Sequence, residues 1–161
     1  MRSVDSRSLS WLLPFTALAL VFCSGVLAAP WLENQGSKLA TWLRLVYAPA
    51  CHQMPDRCLN LGSAPLAVCA RCTGLYLGGL LAMVITLIGR RSFQPTFRWL
   101  FAVSVPTVAD FAAHLLGLPS LSNWPRFLIA IPAGILLGFA LADAIADLGR
   151  RAKGRDHPSG P

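Results

Sequence analysis

From Leu9 to Ala29 the chain carries no charged residue (LSWLLPFTALALVFCSGVLAA), and as an α-helix this run is long enough to cross a hydrocarbon layer of about 30 Å. Such a stretch leaves few folds open. Hydrocarbon cannot satisfy a backbone N–H or C=O, so only a helix or a closed barrel can lie in it. Comparable runs recur at about 73–89, 99–117 and 127–146. Hydrophobic residues make up 55% of the 161 and charged residues only 13%, too apolar a balance for an ordinary soluble domain. The expected architecture is all-α: a polytopic membrane helical bundle of about four spans over residues 1–149, followed by a basic disordered tail over 150–161. Arg2 and Arg7 before the first run, with small residues closing it, also give it the form of a signal peptide; its length favours a retained span.

The net charge of +7 fits this solvent better than it fits nucleic acid, since the chain has no basic stripe with interleaved aromatics. With the N-terminus cytoplasmic, Arg2, Arg7, Arg90, Arg91, Arg98, Arg150, Arg151, Lys153 and Arg155 fall inside, and Lys38, Arg44, Arg57, Arg71 and Arg126 outside. Nine against five places both termini in the cytoplasm and the segment between the first two spans on the extracytoplasmic face of a cell membrane. Within that segment Leu39, Trp42, Leu43, Val46 and Tyr47 share one helical face, the pattern of a short helix lying in the membrane interface. Gly74/Gly78 in the second span and Gly134/Gly138 in the fourth are small-xxx-small pairs that admit a close helix backbone, and they suggest homo-oligomer faces.

Chemistry concentrates between Cys51 and Cys72. Cys51, His52, Cys58, Cys69 and Cys72 fall within twenty-two residues, and the last two stand three apart where the second span begins. On a first helical turn they would share a face, where exposed N–H groups stabilise a thiolate. Three readings stay open. One is a site for zinc or another transition metal with Cys51, His52, Cys69 and Cys72 as ligands. The second is a membrane thiol-disulfide oxidoreductase using Cys69/Cys72 with Cys51/Cys58, and the third a purely structural subunit whose loop is stapled by disulfides.

Asp110 and His114, four apart in the third span, lie on one helix face. Ionisable groups in a membrane usually face the bundle interior, so both are candidates for a catalytic or supporting role. If the protein is an enzyme, they are the available general bases near an open metal position. An ion pair from Asp110 to Arg126 or Arg71 that only locks helices together is the alternative. Arg57, Arg71, Asn123 and Arg126 complete the polar set on the outer side.

At CHQMPDR and APLAVCARCTGLYLGG the chain resembles a family of prokaryotic integral membrane proteins known as domain of unknown function 2085. The resemblance rests on Cys51, His52, Gln53, Pro55, Arg57, Cys69, Ala70, Arg71, Cys72, Thr73, Gly74, Tyr76 and Gly78, and further on at Asp110, Ser122, Asn123 and Arg126. It implies a membrane fold and no particular activity. Cys58 stands where the family more usually has Ser, which implies Cys51, His52, Cys69 and Cys72 as the shared set and leaves a private Cys51–Cys58 disulfide open.

Overall fold

A computed structural model of the chain describes residues 2–3, 6–117 and 121–155. Five helices carry the fold: α1 (Ser6–Asn34), α2 (Leu39–Tyr47), α3 (Ala70–Gly89), α4 (Phe97–Leu115) and α5 (Asn123–Arg155). Four short strands join them. Arg2–Ser3 (β1) pairs antiparallel with Arg91–Ser92 (β4), and Cys58–Leu61 (β2) with Ala64–Cys69 (β3). The all-α bundle is the observed architecture, with the β2–β3 hairpin added between α2 and α3. Among the described residues three helices, α1, α3 and α5, are long and apolar enough to cross a membrane; α4 is not among them.

The seam between α3 and α5 organises the bundle. Gly74 packs against Phe127 and Ala130, Gly78 against Ile131 and Gly134, and Gly138 against Gly79 and Ala82. A Cβ at Gly138 would stand 2.5 Å from the Gly79 carbonyl oxygen, so only glycine lets the backbones approach this closely. The small-residue faces that suggested homo-oligomer contacts meet each other within one chain.

Because Gly74 meets Phe127 and Gly138 meets Gly79 and Ala82, α3 and α5 run parallel, both starting at the cysteine end. The chain between them must therefore return the length of the bundle, and α4 makes that return. Near its start Phe93 packs edge-on against Phe139 at 5.8 Å and the Gln94 amide donates to Asp143 at 2.9 Å; near its end Asp110 meets α3 and α5. Helix α1 runs in the same direction as α4. Leu12 joins Met83, Ala142 and Ile145 at the far end, and Val26 and Ala29 join the hairpin core at the cysteine end.

Two element ends differ from the sequence expectation. Helix α1 passes Ala29 and Pro30 to reach Asn34, and Gly36 at φ 70° then turns the chain. Helix α5 continues through Arg150 to Arg155, where a tail was expected; residues 156–161 lie outside those described.

Candidate metal centre

A small core beyond the end of α1 positions the cysteines. Tyr47, the last residue of α2, donates its hydroxyl to the Phe22 carbonyl at 2.6 Å and packs edge-on against the Phe22 ring at 4.7 Å. Phe22 also meets the Tyr76 ring at 5.0 Å, so one aromatic side chain of α1 braces both α2 and α3. Arg44 ties α2 to its surroundings through Glu33 and through the Pro65 carbonyl at 2.7 Å. Leu59, Leu66, Ala67 and Val68 of the hairpin close this core from outside.

Cys51 follows α2 and is buried. Cys69 ends β3 and is the N-cap of α3, and Cys72 lies in the first turn of that helix. One ligand atom from each of the three lies within 4.8 Å of the others. The Cys69 backbone N–H donates to Cys51 Sγ at 3.2 Å. Hydrogen bonds from Cys72 lower the Cys69 pKa, outweighing the rise that burial alone would cause. Cys58 stands opposite Cys69 in the hairpin register, and its Sγ–H donates to the Met54 carbonyl at 3.2 Å. Burial, with the charges of Cys69 and Cys51, pushes its thiol up to about 12. The five cysteines are free.

The donor set suits a metal. Zinc–sulfur bonds of about 2.3 Å in tetrahedral geometry set thiolate sulfurs about 3.8 Å apart, so sulfurs within 4.8 Å need draw together by about 1 Å or less. The three close cysteines could therefore hold a metal ion.

Of the other residues marked in the sequence, His52 is exposed and outside the three-cysteine group. Gln53 sits at φ 52° and its side chain donates to the Arg44 carbonyl at 2.6 Å, which turns the chain sharply there. Arg57 closes a short 3-10 turn (Pro55–Arg57) and is half-buried. Asn123, the first residue of α5, donates to the Asp56 and Cys58 carbonyls at 3.0 and 2.9 Å and so fixes that helix to the cysteine loop. Asp110 is 2% exposed and takes both arginines. Its Oδ2 accepts from Arg71 and, at 3.1 Å, from Arg126 Nε, while Oδ1 accepts the Leu121 N–H at 2.9 Å. This carboxylate joins α3, α4 and α5 at one point. His114 falls in the last turn of α4, and its side chain lies outside those described.

Sequence reasoning marked Tyr76 only as part of the family motif, with no role at the cysteines, and missed Thr107. The Tyr76 hydroxyl donates to the Ala50 carbonyl at 3.4 Å beside the cysteines, and the sign was its place one helical turn after Cys72. Thr107, three residues before Asp110, carried no signal beyond that spacing.

Residues 51–140, which hold the cysteine loop and the Asp110 junction, match the family described as predicted membrane protein DUF2085. The chain belongs to this family. Among similar sequences, an uncharacterized protein of Methanocaldococcus jannaschii is 31% identical over 129 residues, covering 74% of this chain and 83% of the relative. An uncharacterized protein of Methanothermobacter thermautotrophicus is 33% identical over 86 residues, covering 53% and 78%. No solved structure matches. With its several apolar helices, this DUF2085 member is a predicted multi-pass membrane protein.

Proposed function

We propose that this protein is a four-span membrane protein that binds zinc through Cys51, Cys69 and Cys72 at the extracytoplasmic end of its bundle, with His52 as the fourth ligand. The convergence of three sulfurs, one from the loop after α2 and two from the start of α3, carries the reading. The 3.2 Å hydrogen bond from the Cys69 N–H supports it, since a donor aimed at sulfur favours the thiolate a metal requires. His52 is exposed and follows Cys51 directly in the chain, and an imidazole ligand would complete a tetrahedral S3N shell. The return path of α4 supports the fourth span, and the arginines gathered at the opposite end support the topology.

The test is elemental analysis of tag-free protein purified in detergent, with a free-thiol count on the same sample. One equivalent of zinc is expected, lost in Cys69→Ser and bound at least about tenfold more weakly in His52→Ala. Zinc unaffected by His52→Ala would leave the tri-thiolate site and remove His52 from it. No metal, with oxidised cysteines, would overturn the proposal and favour thiol-disulfide exchange, for which the facing positions of Cys58 and Cys69 in the hairpin speak.

A further inference from the structure

All five tryptophans are at least half exposed, and they stand at two levels of the bundle. Trp11 and Trp31 are twenty residues apart on α1, about 30 Å at 1.5 Å per residue, the thickness of a hydrocarbon core. Trp11 lies against Gly149 of α5, and Trp99 belongs to the first turn of α4 at that same far end. Trp31, Trp42 of α2 and Trp124 of α5 mark the cysteine end. Exposed tryptophan gathered at two planes is the pattern of rings seated at the two faces of a bilayer. The register of α3 on α5 then sets the depth of the cysteines. Gly74 packs against Phe127, and Trp124 comes three residues before Phe127, so Trp124 stands level with the first turn of α3, which Cys69 caps and Cys72 belongs to. Helix α2 fits the same plane. Ala40, Leu43 and Tyr47 face the core, Arg44 and Thr41 follow round the helix, and Leu39, Trp42, Leu45 and Val46 form a separate exposed strip about 120° wide at 100° per residue. The single apolar face expected from the sequence is thus two, because Leu43 and Tyr47 turn inward. Only four residues join α1 to α2, so the exposed strip opens where α1 leaves the membrane and continues its lipid-facing surface.

We propose that α2 is seated in the leaflet at the cysteine end, its strip of Leu39, Trp42, Leu45 and Val46 among the lipid chains just under the head groups, and that Cys51, Cys69 and Cys72 lie at this same boundary. The cysteine centre is then held at the level of the lipid glycerol groups, not in a loop raised above the membrane. Neither statement needs a metal or a particular side of the cell, so a failure of the zinc reading leaves this one standing.

The experiment is tryptophan fluorescence of the full chain in phosphatidylcholine vesicles, quenched from water by acrylamide or from the bilayer by phosphatidylcholine brominated either near the glycerol or near the chain ends. The difference between the parent and Trp42→Phe isolates Trp42, and Trp124→Phe isolates Trp124 in the same way; both rings are exposed, so phenylalanine is accommodated. For both residues the greatest loss of intensity is expected from the lipid brominated near the glycerol, less from the one brominated near the chain ends, and least from acrylamide. Trp42 quenched by acrylamide and by neither lipid would lift α2 into water, and Trp42 protected from all three quenchers would mean that protein, such as a second copy of the chain, covers the strip; either result overturns the seat. Trp124 quenched most from the chain ends, or by acrylamide alone, would move the cysteines off the boundary and overturn that half.

Discussion

Replacing Asp110 by Asn tests the electrostatic logic of the bundle. The amide keeps the size of the side chain and an oxygen for the Leu121 N–H, but it removes the negative charge between Arg71 and Arg126. Deleting one partner of a buried pair costs about 3–5 kcal/mol, because the other charge stays desolvated. Arg126 is 9% exposed and pays nearly in full, whereas Arg71 at 22% regains some water, so the lower end of the range, about 3 kcal/mol, applies. For a chain of this length that is a fall in Tm of about 6–12 °C. Thermal unfolding in detergent, followed by tryptophan fluorescence, reads it directly. Adding Arg126→Gln to Asp110→Asn should recover part of the loss, since it removes the most buried uncompensated charge. Asp147→Asn is the control: Asp147 pairs with Arg150 and Arg151 at the exposed far end, so its melting curve should not move. An Asp110→Asn melt coincident with the parent, or a double variant worse than the single, would refute the reasoning.

Other outcomes follow from the same geometry. Gly138→Ala places a methyl against the Gly79 carbonyl, and overpacking of about 1–3 kcal/mol should appear as a lower Tm with the zinc content unchanged. In metal-stripped protein Cys69 should alkylate first, at a rate that hardly changes between pH 7 and pH 9, where an ordinary thiol gains roughly 25-fold; Cys58, its thiol pushed up to about 12, should react far more slowly than Cys69. Because folding lowers the Cys69 pKa, its contribution to metal-free stability is present above the ordinary thiol value and lost as pH falls through the lowered one, which acid titration of the melting temperature would show. In spheroplasts a membrane-impermeant maleimide should label a Cys introduced at His52 and leave one introduced at Arg151 unlabelled until the membrane is permeabilised; the opposite result would invert the topology.

Much of the site could be read from spacing. Cys69 and Cys72, three apart before an apolar run, do stand at the head of a helix, and Asp110 on its apolar helix does meet the two outer arginines. What spacing could not give is direction. His52 follows Cys51 directly, yet its side chain is exposed and lies outside the three-cysteine group. The β2–β3 hairpin was hidden because Cys58–Leu61 and Ala64–Cys69 are brief and mostly apolar, so they show no alternation of buried and exposed faces; only Gly62 at φ 69° marks the turn. The glycine pairs were visible as surfaces for close approach, but a linear pattern does not say whether the partner is another chain or a later helix of the same one.

That last point reaches back to how the protein is made. The surface around Gly74 and Gly78 leaves the ribosome well before its complement at Phe127, Ile131 and Gly134 exists, and two parallel neighbours cannot come together until the intervening α4 has been threaded back. During that interval α3 presents bare backbone to any passing helix with small side chains. A chain stopped after α4 would keep bare the glycine face that α5 covers in the finished fold.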